Sequence, residues 1–204
     1  MKIKKLLLVL LCAFALVFLG CDKNESESYS LGEYAPFKDG EEISLKSVSG
    51  ASVSLVRTSK GFVLKGSDKI VMLDIFGTFC APCKAEAPHL MDYQLNHDDF
   101  MLIGLITFEQ ISDKDVIEKF IKPFNAYYFI ANEGEKNERL ISQVLADIGY
   151  DSALSLPFKV VLKGGKYELL SDNLGERGGK EALYYLGAVS SELVAKDLEK
   201  IRKK

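Results

Sequence analysis

Histidine, cysteine and tryptophan are scarce in this chain. Its 204 residues include four cysteines, two histidines and no tryptophan. A zinc site usually needs four nitrogen or sulfur ligands, and two of the cysteines, Cys12 and Cys21, lie in or just after an apolar N-terminal leader. The scarcity therefore disfavours a metal site. It also indicates that the fold does not depend on a scaffold of several disulfides.

An excess of basic charge is also lacking. The 26 basic residues are outnumbered by 29 acidic ones, which gives a formal net charge of −3. A mildly acidic chain has no basic stripe for nucleic acid and no surface charge that would draw it to anionic lipid. The composition therefore excludes a nucleic-acid-binding protein, while the length suffices for one domain with a sizeable hydrophobic core.

The two remaining cysteines, Cys80 and Cys83, are separated by only two residues and follow an apolar run over 71–76. A helix is predicted over 82–96, so the first sulfur lies at a helix N-terminus. Unpaired backbone N–H groups and the helix dipole favour the thiolate there and lower the thiol pKa. The second thiol, one turn away, can close an intramolecular disulfide and release a mixed-disulfide partner. The pair predicts redox chemistry without any other cofactor.

Two other interpretations of the Cys pair remain open. It could be half of a zinc site, although the ligand count argues against this. It could also be a permanent structural disulfide, although so short a loop would restrain the unfolded chain little.

The N-terminus has the pattern of an export signal. Lysines precede an apolar run over 6–19, which is short for a membrane span, and the chain turns polar after Cys21. Gly20-Cys21 resembles the lipobox of bacterial lipoproteins, with Phe18 and Leu19 at positions where other residues are usual. We therefore expect a signal peptide over 1–20 and acylation of Cys21.

Several consequences follow from that leader. Residues 21–35 are expected to form a lipid-anchored tether, and residues 36–204 the folded domain. An ordinary signal peptide or an uncleaved signal anchor is the alternative. Each version exports the domain and predicts a periplasmic or extracytoplasmic location, and a lipid anchor on Cys21 would supply the link to the membrane.

Hydrophobic periodicity predicts the order of the strands and helices along the chain. Strands alternate with helices through most of the chain, a pattern typical of an α/β fold. Predicted strands cover 42–45, 52–56, 61–66, 70–76, 101–107, 127–130, 158–162 and 167–170, and predicted helices cover 82–96, 112–120, 138–148 and 180–204. The last two strands flank Gly164-Gly165 and predict a hairpin.

This order, with the Cys pair at the first strand–helix junction, resembles the thioredoxin fold. It is similar in particular to the exported, membrane-tethered thioredoxin-like proteins of the TlpA/ResA/CcmG group. Besides the Cys pair, Asp74, Pro88 and Leu156-Pro157-Phe158 match the family's motifs, and Glu86 falls where ResA-like proteins carry an acidic residue. The resemblance implies a central mixed β-sheet flanked by helices, here with an extra N-terminal β-hairpin.

The resemblance also assigns roles. Cys80 would be the exposed nucleophile and Cys83 the buried resolving thiol. Asp74, a lone charge in an apolar strand, would have a pKa raised by burial and could take the Cys83 proton. Glu86 would be a second acid near the thiols. A solvated Asp74 and a surface Glu86 are the alternatives.

The substrate-facing positions depart from the family pattern. Phe79 stands where a tryptophan usually precedes the first cysteine, and Leu156 stands where threonine or valine often precedes the cis-proline. The resemblance implies a cis bond at Pro157 that would hold a backbone edge beside the thiols for an extended substrate. An ordinary turn proline is the alternative.

The resemblance implies a thiol–disulfide oxidoreductase that acts mainly as a reductant. Its protein substrates would contain disulfides, such as those formed by the haem-attachment cysteines of apocytochrome c, and a membrane thiol transporter of the DsbD or CcdA type would recharge it. A disulfide oxidase or isomerase is the alternative within the same chemistry. A lipoprotein that binds a partner and carries an inert disulfide is the non-enzymatic alternative.

Overall fold

The computed structural model describes residues 31–204. The predicted signal peptide, Cys21 and most of the predicted tether lie outside these residues. Within residues 31–204, no helix combines the length and the apolar character that a membrane crossing requires.

The central sheet has six strands: β4 (Ile70–Phe76), β5 (Phe100–Ile106), β6 (Phe129–Ala131), β7 (Phe158–Lys163), β8 (Lys166–Tyr167) and β9 (Tyr185–Leu186). Their spatial order is β6-β5-β4-β7-β8, and β9 also pairs with β7. The β4–β5 and β5–β6 pairs are parallel, whereas β7 is antiparallel to β4. The predicted mixed sheet is therefore confirmed, with β4 at its centre.

A second, antiparallel sheet precedes the central one in the chain. It consists of β1 (Glu42–Lys46), β2 (Ser52–Thr58) and β3 (Gly61–Leu64), in that order. The predicted N-terminal hairpin is thus present as β1–β2 and is extended by a third strand. Single bridges from Ser47 to Ala131 and from Lys60 to Lys166 connect it to the edges of the central sheet.

Helices cover the faces of the central sheet: α1 (Ala81–Leu95), α2 (Asp113–Val116), a π-helical segment (Ile117–Ile121), α3 (Lys122–Phe124), α4 (Glu135–Ile148) and α5 (Ser191–Arg202). Strand β4 alternates its side chains between two hydrophobic cores, as strand geometry requires. Met72 and Phe76 pack in the core that contains buried residues of α1 and α5. Leu73 and Ile75 pack in the core that contains buried residues of α4 and the N-terminal sheet. All seven β4 residues are consequently buried.

The prediction of one long C-terminal helix over 180–204 was wrong. Only Ser191–Arg202 is helical, and strand β9 lies upstream. The backbone of Gly187 has a φ of 72°, a left-handed conformation that a helix cannot contain. The Ser190 side chain accepts a hydrogen bond from the Leu193 N–H and begins the helix there.

Candidate active site

The turn after β4 delivers Cys80 to the N-terminus of α1. Cys80 is the N-cap residue, and its Sγ accepts a hydrogen bond from the Cys83 N–H at 3.3 Å. Pro82 lies in the first turn, where a missing N–H costs nothing because that group has no intrahelical partner. The local sequence thus produces the predicted strand–turn–helix junction.

Cys80 and Cys83 form a disulfide, with their Cα atoms 5.3 Å apart. The Cys80 residue is 7 % exposed and Cys83 2 %. Cys80 is thus largely buried in the disulfide form rather than exposed as predicted, because it lies in the turn between β4 and α1, but it remains the more accessible of the two cysteines.

Phe79 projects from the turn beside the disulfide and is 57 % exposed. Its ring lies back over Gly77, where an added Cβ would be 2.5 Å from the Phe79 Cε1 atom. Glycine at position 77 thus permits the aromatic ring to cover the turn. An exposed aromatic ring next to a redox pair offers an apolar contact to a docking polypeptide.

Glu109, in the loop after β5, accepts two hydrogen bonds from the same turn. The backbone N–H and the hydroxyl of Thr78 both donate to the Glu109 carboxylate, the hydroxyl at 2.7 Å. Thr78 is buried, so these donors would lose their partner in a place with little water. Glu109 therefore positions the segment that carries Phe79 and Cys80.

Removal of this carboxylate is expected to loosen the turn. Glu109→Ala should lower the free energy of unfolding by about 2–3 kcal/mol, since it removes hydrogen bonds to a charged acceptor and leaves buried donors unpaired. Urea unfolding measures this loss. Glu118→Ala is the matched control, because the Glu118 carboxylate forms an exposed ion pair with Lys122. Loss of that pair should cost less than about 1 kcal/mol. Equal losses in both variants would contradict the positioning role of Glu109.

A buried cluster of three charged residues lies behind the disulfide. Asp74, Glu86 and Lys159 are 2 %, 4 % and 0 % exposed. The Lys159 Nζ atom is 2.5 Å from Glu86 Oε1 and 3.5 Å from Asp74 Oδ1. Asp74 and Lys159 are direct cross-strand partners on β4 and β7, while Glu86 follows Cys83 by one turn of α1. The cluster thus joins the two central strands to the active-site helix.

Burial dominates the electrostatics of this cluster. Loss of solvation raises the pKa of Asp74, an effect that the nearby Lys159 ammonium partly offsets. Loss of solvation also raises the pKa of Glu86 to about 7, again opposed by Lys159 and reinforced by the Asp74 carboxylate. With a pKa of about 7, Glu86 can hold or release a proton near neutral pH, and the raised pKa of Asp74 makes it a better proton acceptor than a solvated aspartate.

The segment before α5 connects the active-site helix to the proline segment. The Val189 N–H donates to Glu86 Oε2 at 3.1 Å, and the Gly187 N–H donates to the Pro157 carbonyl at 2.8 Å. The Leu156–Pro157 bond is cis, as the resemblance implies. Phe158 pairs with Ile75 near the end of β4, so the proline segment lies beside the turn that carries the cysteines.

The structure thus brings Cys80, Cys83, Asp74 and Glu86 to one end of the sheet. Sequence reasoning missed Lys159, although a signal for it was present. Lys159 is the lone charge in the apolar run Phe158–Leu162, the same signal that singled out Asp74. No comparable pattern marks Glu109 or Val189, whose contacts depend on the approach of distant loops.

No protein-family model matches the sequence. The fold, however, is similar to solved structures of thiol–disulfide oxidoreductases. A thiol:disulfide interchange protein of the thioredoxin family from Chlorobium tepidum superposes with a TM-score of 0.52 at 16% identity, covering 83% of this chain and 98% of that one. StoA from Bacillus subtilis gives a TM-score of 0.50 at 15% identity, with 78% and 97% covered.

A third similar structure is a secreted Mycobacterium tuberculosis disulfide oxidoreductase homologous to E. coli DsbE. Its TM-score is 0.50 at 13% identity, with 78% of this chain and 95% of that one covered. At these identities the similarity is one of fold, and the predicted thioredoxin fold is confirmed.

Proposed function

We infer that this protein is a thiol–disulfide oxidoreductase that works mainly as a reductant of protein disulfides. The observation that carries this inference is the Cys80–Cys83 disulfide at a helix N-terminus, with buried acids behind it. The fold that it shares with other thiol–disulfide oxidoreductases supports the same chemistry.

In the reduced protein, the Cys80 thiolate attacks one sulfur of a substrate disulfide, and the other substrate sulfur leaves as a thiolate. The helix N-terminus and the Cys83 N–H stabilise the Cys80 thiolate before the attack. The product is a mixed disulfide between Cys80 and the substrate.

The second step resolves that mixed disulfide. The Asp74 carboxylate takes the Cys83 proton, and the Cys83 thiolate attacks Cys80, which releases the second substrate thiolate. Two electrons have then passed from the dithiol to the substrate, and the protein holds the Cys80–Cys83 disulfide that the structure contains.

Substrate docking is proposed at Phe79, Leu156 and Pro157. Phe79 offers an exposed apolar ring, and the backbone at the cis-proline offers an edge to an extended segment. Segments of the Cys-x-x-Cys-His type in apocytochrome c are the substrate class that the family resemblance suggests. A membrane thiol transporter of the DsbD or CcdA type would return the protein to its dithiol form.

Membrane attachment belongs to the same proposal. An acylated Cys21 would hold the domain at the extracytoplasmic face of a membrane, where disulfides form readily. A tethered dithiol is useful in that compartment for reducing selected disulfides, because oxidation there needs no help from this domain.

The equilibrium reduction potential of residues 22–204, titrated against glutathione or dithiothreitol, tests the direction of electron flow. We expect a value clearly more reducing than that of the glutathione couple. A value at the oxidising end of the range would overturn the assignment as a reductant and favour a disulfide oxidase or isomerase.

Thiol reactivity tests whether the disulfide is inert. In the reduced protein, Cys80 is expected to be alkylated rapidly at mildly acidic pH, because the helix N-terminus stabilises its thiolate. Mass spectrometry after a short iodoacetamide pulse measures this. Slow alkylation of both thiols, with resistance of the disulfide to reduction, would favour the non-enzymatic, partner-binding alternative.

A further inference from the structure

We propose that Lys159 is a positioning residue that holds Glu86 as a carboxylate and so leaves Asp74 to receive the Cys83 proton. This inference rests on the proposed thiol–disulfide exchange, within which it assigns different tasks to the two buried acids. Lys159 itself contacts neither cysteine in this assignment, and it acts through the carboxylates.

The contacts of the two acids are unequal. Glu86 has the Lys159 ammonium 2.5 Å from Oε1 and the Val189 N–H 3.1 Å from Oε2. Each of its oxygens therefore faces a donor, an arrangement that stabilises the ionised form. Asp74 has the same ammonium at 3.5 Å from Oδ1, beyond ordinary hydrogen-bond length. Asp74 Oδ1, Glu86 Oε1 and Lys159 Nζ are all buried without a hydrogen bond of good geometry among the described residues, so the two acids differ in their distance from the cation and in the Val189 N–H.

The cluster contains one ammonium and two carboxyl groups, and this imbalance determines which acid accepts a proton. One ammonium can neutralise one carboxylate, and a second buried negative charge would be unpaired and costly. Because Glu86 holds the shorter contact and a second donor, ionised Asp74 lacks a close cation and is the acid that accepts a further proton. When Cys83–SH transfers its proton to ionised Asp74, the cluster passes from net negative to neutral, and the negative charge moves to the Cys83 sulfur. That charge leaves with the substrate thiolate when Cys83 attacks Cys80.

The groups around the cluster do not supply a competing charge. Tyr128 lies near both acids, which together with burial raise the pKa of its phenol well above the ordinary value, so it stays neutral. Tyr185 pairs with Lys159 across β9 and β7, and its hydroxyl donates to Asp197 rather than to the cluster. Besides Glu86, the buried ionisable side chains of α1 are Cys83, which is in the disulfide of the oxidised protein, and Tyr93, whose hydroxyl oxygen accepts a hydrogen bond from Arg202.

The direct test is a ¹³C NMR titration of the Asp74 and Glu86 carboxyl groups in the oxidised full chain. Asp74→Asn and Glu86→Gln assign the two signals. In Lys159→Met, both acids lose their cation, and the Asp74 titration is expected to move to higher pH by at least about one pH unit. In Glu86→Gln, Lys159 faces Asp74 alone, and the Asp74 titration should move to lower pH.

The double variant Lys159→Met/Glu86→Gln removes a neutral pair. Its Asp74 titration is therefore expected between those of the single variants and close to that of the unaltered protein. If Lys159→Met does not fold, Glu86→Gln is compared with the double variant instead, because neither contains a Glu86 carboxylate and the two differ only at position 159. The Asp74 titration should lie at lower pH in Glu86→Gln than in the double variant. Lys163→Met on the same strand is the matched control, because the Lys163 Nζ caps carbonyls of Ile201 and Arg202, and it should not move the Asp74 titration.

A kinetic measurement extends the test to the reaction. The reduced protein is mixed with glutathione disulfide, and the release of the second glutathione is followed against pH. The acid side of this profile should move in the same directions as the Asp74 titration. At a fixed pH on that side, the rate should change about tenfold when the Asp74 titration midpoint moves by about one pH unit. If Lys159 had only a structural role, its loss would lower the free energy of unfolding, but the Asp74 titration would not move in opposite directions in Lys159→Met and Glu86→Gln.

Movement of the Asp74 titration in the same direction in Lys159→Met and Glu86→Gln, or no movement in either, would overturn the assignment. The assignment would also be overturned if the Glu86 carboxyl group kept its proton to higher pH than the Asp74 carboxyl group. These titrations use the oxidised protein and need no substrate. A failure of the proposed function, seen as an oxidising reduction potential, is therefore distinguishable from a failure of this inference.

Discussion

Replacement of Cys80 by serine is expected to abolish disulfide reduction. The reaction needs a thiolate near neutral pH, and a serine hydroxyl neither ionises there nor forms a disulfide. We expect the rate of reduction of a protein disulfide such as insulin to fall by at least about 10³-fold, the scale seen when a catalytic nucleophile is removed. A turbidity assay with residues 22–204 measures this loss.

Cys83→Ser is the matched variant, because it keeps the nucleophile and removes the resolving thiol. It should also stop turnover, yet it should accumulate one substrate chain per protein as a stable mixed disulfide through Cys80. Intact mass spectrometry distinguishes the two variants. A mixed disulfide on Cys83 in the Cys80→Ser protein, with none on Cys80 in the Cys83→Ser protein, would reverse the assigned roles.

Loss of Lys159 is expected to have the largest effect on stability. Lys159→Met removes the single cation from a cluster that keeps two buried carboxyl groups. Breaking a buried ion pair by removing one partner costs about 3–5 kcal/mol, since the remaining charge is left uncompensated. Urea unfolding of the oxidised protein at neutral pH measures the loss.

The pKa values of the two acids determine how the stability of Lys159→Met changes with pH. Burial raises the pKa of both Asp74 and Glu86 above the values of the unfolded chain, that of Glu86 to about 7, and removal of Lys159 raises both further. The folded variant then binds more protons than the unfolded chain, so its stability falls as the pH rises from about 4.5 through neutrality, by up to about 1.4 kcal/mol per pH unit for each such proton. The deficit relative to the unaltered protein should therefore be larger at pH 8 than at pH 5.

The double variant Lys159→Met/Glu86→Gln serves as the control for this prediction. It keeps one buried acid instead of two, so its deficit should be smaller than that of Lys159→Met at pH 8. A deficit in Lys159→Met that does not depend on pH would indicate lost packing of the lysine side chain rather than lost charge compensation.

Local patterns in the sequence determined the chemistry and much of the framework. The Cys80–Cys83 spacing after an apolar strand and before a helix placed the two sulfurs at a helix N-terminus, because strand, turn and helix start are short-range features. The apolar run around Asp74 indicated burial of that acid, and the predicted strands around it are all present in the central region. Gly149 ends α4 in the left-handed conformation, as its position predicted.

The tertiary structure alone decided which distant groups meet. Lys159 reaches Glu86 because β7 pairs with β4 and α1 packs over that face, and no periodicity within one segment encodes such a contact. The pairing of Glu109 with Thr78 likewise depends on two neighbouring strands ending at the same edge. Residues 180–190 have a composition that suits a helix, but pairing of Tyr185–Leu186 with β7 and the turn at Gly187 prevail there. Backbone pairing with a sheet and the burial of charge are collective properties of the fold, so local propensity could predict the cysteine pair but not the charges that surround it.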